Sequence, residues 1–225
     1  MIIVTGASRG LGRALSERLT AKGFEVLGLA RNASETPFEC LSCDVSSYES
    51  VKDVVKQVKA RRVEVTGLVN AAGIAQMNLV IAMTSESVRR IIETNLLGTI
   101  NCCQLVAPLM LRQKSGCIIN FSTIAVPLSL KGESVYIASK AGVEGFTRSF
   151  AREMSDFGIR VNCLAPGPID TDLIRGVTAK QIKEIVSRQV IQKQFGADSV
   201  SDLTELLFDP RSYSISGQVL HVGGI

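Results

Sequence analysis

Residues 5–12 read Thr5-Gly6-Ala7-Ser8-Arg9-Gly10-Leu11-Gly12, between the apolar run Ile2-Ile3-Val4 and an amphipathic stretch near 11–22. That order is strand, glycine turn, helix. Glycine at position 6 permits a tight turn, and glycines at 10 and 12 let backbone and helix come close to a pyrophosphate. A helix that starts there offers free N–H groups and the positive end of its dipole to phosphate. An ordinary glycine-rich turn is the plain alternative. The strand-turn-helix setting, reached by the fifth residue, favours dinucleotide binding. Gly6, Ser8, Arg9, Gly10, Leu11 and Gly12 are therefore candidate cofactor contacts.

Outward from this turn, short β-branched runs alternate with longer amphipathic segments. Strands are expected at 2–5, 25–29, 39–42, 66–69, 117–121, 159–164 and 218–222. Helices are expected near 11–22, 47–60, 85–112, 135–156 and 198–207. This alternation predicts an α/β fold, a Rossmann-type doubly wound parallel sheet of about seven strands with helices on both faces. Neither a repeat nor a low-complexity linker divides the chain, so residues 1–225 are expected to form a single domain. The polar, helical segment 172–195 stands outside the pattern and reads as a substrate lid.

Composition excludes several classes. Hydrophobic residues make up 46% and charged residues 20% of the 225, enough for a core and too apolar for a disordered chain. The net charge of +4 is spread among acids, with no basic run to track nucleic acid. Cys40 and Cys43 form a lone C-x-x-C without a second pair, and the single histidine, His221, is remote and reads as a strand residue, so no metal site is expected. The cysteines read as buried, reduced thiols. Ile2-Ile3-Val4 follow Met1 at once, leaving no room for a signal peptide, and no run is long enough to span a membrane. A cytoplasmic protein without nucleic-acid or membrane partners is the expectation.

Two features point to chemistry. Tyr136 and Lys140 are four apart in a helical stretch, so both side chains share one face. Free tyrosine titrates near pH 10, and a nearby ammonium would favour the phenolate. On spacing alone an amphipathic surface helix is the better explanation of the pair. The second strand ends Leu29-Ala30-Arg31-Asn32, lacking the acid that usually binds the ribose 2′-hydroxyl of NAD. Arg31, with Arg9, can instead meet a 2′-phosphate, which favours NADP(H) as cofactor.

The spacing G-x-x-x-G-x-G resembles the glycine motif of the short-chain dehydrogenase/reductase (SDR) family, and further matches follow in order along the whole chain. Asn70-Ala71-Ala72-Gly73 is similar to the family's N-N-A-G element, with Ala71 in place of the second Asn. Asp44-Val45 resembles its adenine-contacting pair, and Asn95 its helix asparagine. Tyr136-Ile137-Ala138-Ser139-Lys140 matches Y-x-x-x-K, and Pro166-Gly167-Pro168-Ile169-Asp170-Thr171 matches P-G-x-x-x-T. The resemblance implies that Tyr136 exchanges a proton with the carbonyl oxygen and that Lys140 binds the nicotinamide ribose and lowers the tyrosine pKa. It implies that the backbone at Asn95 holds a relay water. It adds Asn70, Ala71, Ala72, Gly73, Asp44, Val45, Pro166, Gly167, Ile169 and Thr171 as cofactor contacts. The family's serine lies thirteen residues before the tyrosine, which is Thr123 here, whereas a loop one residue different would select Ser122.

The chain most resembles the 3-oxoacyl-acyl-carrier-protein reductase branch, in Ser139-Lys140-Ala141-Gly142 and Ala151-Arg152-Glu153. The substrate implied is a small-molecule or acyl-thioester carbonyl, with acyl carrier protein as a candidate partner. Two residues depart from the branch: Asp156-Phe157 stand where a basic docking residue is common, and Glu133 puts a carboxylate three residues before the tyrosine. Arg175, Lys180, Lys183, Arg188 and Lys193 would suit an anionic carrier, but Asp172 and Glu184 lie among them. Alternatives are a dehydrogenase of a small alcohol, sugar or polycyclic ketone and, in another class, a cofactor-binding regulator without turnover. Leu105, Leu109, Val143, Phe146 and Phe150 suggest a surplus of apolar helix surface and hence a homodimer or homotetramer.

Overall fold

A computed structural model describes residues 1–33, 36–171, 174 and 176–225. Among the described residues seven strands form one parallel sheet: β1 (Ile2–Thr5), β2 (Val26–Ala30), β3 (Glu39–Ser42), β4 (Gly67–Asn70), β5 (Gly116–Phe121), β6 (Ile159–Ala165) and β7 (Val219–His221). Their order is β3-β2-β1-β4-β5-β6-β7. The expected doubly wound α/β sheet is present, its strand ends displaced by at most about two residues. The chain moves one way from β1 to β3 and the other way from β4 to β7, so the order reverses between β1 and β4. A crevice opens at such a reversal, outside the carboxyl ends of the strands.

Alternation along β1 feeds two cores. Ile3 joins Leu27, Leu68, Ile118 and Val161 on one face. Ile2 and Val4 join Val69, Ile119 and Leu164 on the other. Both faces are apolar because helices cover both. The helices are α1 (Gly10–Ala21), α2 (Tyr48–Ala60), α3 (Ser85–Ile92), α4 (Gly98–Val106), α5 (Ala125–Leu128), α6 (Ser134–Ser155), α7 (Ala179–Ser187) and α8 (Ala197–Phe208). In α2 the local logic is plain: the Ser47 side chain caps it, accepting from the Ser50 N–H, and Val51, Val54, Val55 and Val58 form its buried stripe.

The helix expected over 85–112 is divided. A π turn, Glu93–Leu97, separates α3 from α4, and 3₁₀ turns at Ala107–Leu109 and Leu111–Gln113 follow. Pro108 accounts for the second break, since it lacks an N–H and crowds the preceding turn. The helix residues expected to leave apolar surface divide between buried and partly buried positions. Val143 and Phe150 are buried, and Leu105, Leu109 and Phe146 are partly buried against the core, Phe146 stacking on Phe150 at 5.1 Å. In the candidate lid, α7 is helical, with the Thr178 and Gln181 side chains forming a reciprocal capping box, while Asp172 and Arg175 lie outside the described residues.

Cys102, Cys103, Cys117 and Cys163 are buried thiols. Burial pushes Cys103 and Cys163 up to about 12 and Cys117 to about 11, which suppresses their thiolates. Among the described residues no His/Cys/Asp/Glu group could hold a metal, and no helix is long and apolar enough to cross a membrane.

Candidate active site

A cavity of about 560 Å³ occupies the crevice. The glycine turn forms one side of it, and two of its glycines are required by contact. Gly6 has φ +70°, and a Cβ there would stand 2.8 Å from the Ala72 Cα. A Cβ on Gly12 would overlap the Gly6 carbonyl. The Ala72 N–H donates to Thr5 Oγ1 at 3.0 Å, so the loops after β1 and β4 are tied together beneath the cavity. Arg9 opens α1 in an extended conformation with no side-chain cap and no acid in the first turn, leaving the positive helix end turned toward this wall.

Every expected cofactor contact except Asn70 lines this cavity. The turn contributes Gly6, Ser8, Arg9, Gly10, Leu11 and Gly12, and the ends of β2 and β3 bring Arg31, Asp44 and Val45. Ala71, Ala72 and Gly73 follow β4, and Pro166, Gly167, Ile169 and Thr171 follow β6. Asp44 Oδ1 is occupied by the Ser46 N–H at 3.0 Å and the Ser46 hydroxyl at 2.7 Å, which shapes the turn. Asn70 sits behind the wall, its amide donating to Asn120 Oδ1 at 2.8 Å across the sheet.

At the far end Tyr136 and Lys140 reach the cavity from one face of α6. Lys140 Nζ is buried and donates to the Phe121 carbonyl at 2.9 Å. Desolvation lowers it to about 8, opposed weakly by Cys163. Tyr136 is moved upward, by burial first and by the Glu133 carboxylate second, while a hydrogen bond donated by Thr123 pulls it back. Lys140, held on the Phe121 carbonyl, is not among the groups that shift the phenol here.

The two candidate hydroxyls separate. Ser122 is buried and donates to Glu144 Oε1 at 2.7 Å, a carboxylate also paired with Arg148 at 3.2 Å. Thr123 Oγ1 accepts the Ala125 N–H at 3.2 Å and acts on the Tyr136 phenol, which it lowers. Asn95 lies in the π turn, behind the wall. Its amide donates to the Ile74 carbonyl at 2.9 Å and Ser139 Oγ at 3.0 Å, and its Oδ1 accepts the Ile74 N–H at 2.8 Å. It anchors the loop after β4 to α6. Irregular π turns of this kind recur at functional sites.

Sequence reasoning missed Ile74, Met77, Leu130 and Ile185, which also line the cavity. They come from loops and from α7, where no periodicity marks a residue as lining anything.

This geometry agrees with the comparisons. The family model for short chain dehydrogenases matches residues 1–182. The 3-oxoacyl-[acyl-carrier-protein] reductase FabG of Staphylococcus epidermidis is 35% identical over 99% of this chain and 96% of its own. The FabG of Escherichia coli is likewise 35% identical, over 99% and 95%. Among solved structures, ligand-free aldohexose dehydrogenase (AldT) of Thermoplasma acidophilum superposes with a TM-score of 0.89, 30% identity, and coverage of 99% and 92%. With a glycine turn, a Y-x-x-x-K pair on one cavity and a sheet of this order, this chain belongs to the short-chain dehydrogenase family of oxidoreductases.

Proposed function

We propose that the protein is an NADPH-dependent reductase that converts a ketone, in the first instance a 3-oxoacyl thioester, to a secondary alcohol. One observation carries this reading: the Tyr136 and Thr123 hydroxyls and Lys140 share a cavity with an uncapped, glycine-opened helix end. A dinucleotide fits that cavity, since the glycine positions leave room where side chains would stand and the volume lies within the usual range for ligand sites. Gly6, Gly10, Gly12, Ser8 and Arg9 would hold the pyrophosphate, Arg31 the 2′-phosphate, and Asp44 and Val45 the adenine. When bound, the nicotinamide supplies a hydride. Tyr136 gives its proton to the carbonyl oxygen, Thr123 orients that oxygen by hydrogen bonding, and Lys140 binds the ribose. Asn95 keeps the loop after β4 in place against α6.

The relatives named as acyl-carrier-protein reductases and the apolar wall of Ile74, Met77, Leu130 and Ile185 favour an acyl chain over a polyol. In the same reading the chain is one domain, cytoplasmic, with α7 and its flanks as the lid. A homodimer or homotetramer, read by sedimentation, belongs to it too, with acyl carrier protein as the partner. NADPH oxidation by a panel of acyl thioesters and ketones tests the function, and no turnover of any thioester overturns the substrate.

Two further results are expected. Arg31→Asp weakens NADPH by about 10- to 100-fold and leaves NADH nearly unchanged, because a charge-assisted bond to phosphate is lost and a like charge replaces it. Equal weakening of both in binding titrations rejects the 2′-phosphate role. Thr123→Val lowers kcat by about 10²-fold or more with NADPH binding intact. Ser122→Ala instead costs about 1–3 kcal/mol of stability, by leaving the buried Glu144 short of a donor, and keeps turnover. The reverse ranking, in kinetics and urea unfolding, transfers the orienting role to Ser122.

A further inference from the structure

Glu133 lines the cavity with a carboxylate that plays no part in the proton transfer. It is the N-cap residue of α6, yet its carboxylate makes no capping hydrogen bond. Among the described residues no cation pairs with it and no donor reaches it. It is half-buried all the same, and it lines the cavity together with Tyr136, Leu130 and Ile74.

Main-chain bonds hold it there. The Glu133 N–H donates to the Leu130 carbonyl at 3.3 Å, and its own carbonyl accepts the Ile137 N–H at 2.7 Å. One residue earlier, the Gly132 carbonyl accepts the Asn78 N–H at 2.9 Å, which ties this loop to the one after β4. The carboxylate is thus carried on a fixed rim, against apolar neighbours. Desolvating a carboxylate without a donor is costly, and a ligand that supplies the donor recovers that cost. A ligand with a carboxylate of its own meets like charge where screening by water is reduced.

We propose that Glu133 determines specificity: its carboxylate accepts a hydrogen bond from an amide N–H or hydroxyl of a neutral carbonyl substrate and turns away substrates that are carboxylates. The inference rests on the reductase reading and refines it, because a 3-oxoacyl thioester on an amide-bearing arm is neutral and carries such donors, while the free 3-oxo acid is an anion. Burial raises the Glu133 carboxyl above its ordinary range, and the charge it carries raises Tyr136 in turn, as expected of a carboxylate facing the reacting groups.

The test uses three probes at mildly alkaline pH: the N-acetylcysteamine thioester of 3-oxobutanoate, its ethyl ester, and free 3-oxobutanoate. In Glu133→Gln, which keeps size and hydrogen bonding, kcat/KM for the free acid should rise about tenfold or more relative to the thioester. In Glu133→Leu the advantage of the amide-bearing thioester over the ester should fall about tenfold. NADPH affinity should stay at the parental value in both. Should Glu133→Leu fail to fold, the free-acid result with Glu133→Gln decides alone. Unchanged ratios in a protein that still reduces the thioester overturn the role of Glu133 and leave the reductase standing. Loss of NADPH affinity in Glu133→Gln overturns it too, by moving the residue to the cofactor. A parent that binds NADPH and reduces none of the three overturns the thioester reading, and this inference with it.

Discussion

Tyr136→Phe is expected to lower carbonyl reduction by about 10²- to 10⁴-fold, the span that a positioned general acid contributes, with fold and NADPH binding retained. The substitution removes one oxygen from a buried ring that stays packed, and the hydrogen bond lost is the one from Thr123. Among the described residues no other group on the wall is set to replace the proton. Lys140 is committed to the Phe121 carbonyl, and the Thr123 hydroxyl is too weak an acid. Burial and Glu133 hold the phenol above its ordinary value, so it keeps its proton throughout the neutral range, which is the form that reduction needs. Steady-state kinetics of the variant on the best substrate of the parent decide the matter. A phenylalanine variant as active as the parent rejects Tyr136 as the acid.

The second large effect is expected from Gly12→Ala, which should reduce NADPH affinity by about 100-fold or more. The added methyl group would overlap the Gly6 carbonyl and stand 3.0 Å from the Thr5 carbonyl. The glycine turn can relieve this only by swinging α1 away from the end of β1, and the helix end then leaves the phosphate position. Overpacking of this size costs about 1–3 kcal/mol, less than the stability of an ordinary domain, so the chain should still fold. Circular dichroism checks that. Gly145→Ala is the control, since no atom lies within 4 Å of its added methyl and an exposed helical glycine gains from the change. Gly12→Ala protein that is folded and titrates with NADPH like the parent rejects the turn as the phosphate site.

Much of this was legible from the chain itself because the signals are local. The alternation of Ile2, Ile3 and Val4 across β1, the valine stripe of α2, and the spacing of Gly6, Gly10 and Gly12 each follow from a backbone period or a steric need within a few residues. The same holds for Tyr136 and Lys140, which one helical turn places on one face. Chain order and composition were enough to set the sheet and the glycine turn, while the roles of Tyr136 and Lys140 came from the family resemblance.

The remainder depended on residues distant in sequence. Ser122 and Thr123 both line the cavity, and what distinguishes them is Glu144, which takes the serine hydroxyl from another element. The partner of Lys140 is a main-chain carbonyl at the end of β5, which spacing cannot reveal because carbonyls carry no residue identity. Asn95 turned inward because the loop at Ile74 presents both a donor and an acceptor to its amide. The Glu133 carboxylate lies on the cavity because the loop carrying it is fastened to Asn78. Periodicity and steric demand act within a few residues and so determined from the sequence this fold and the placing of Tyr136 and Lys140 on one helix face. Which buried polar group finds which partner depends on the packing of whole elements, and only the tertiary structure decided that.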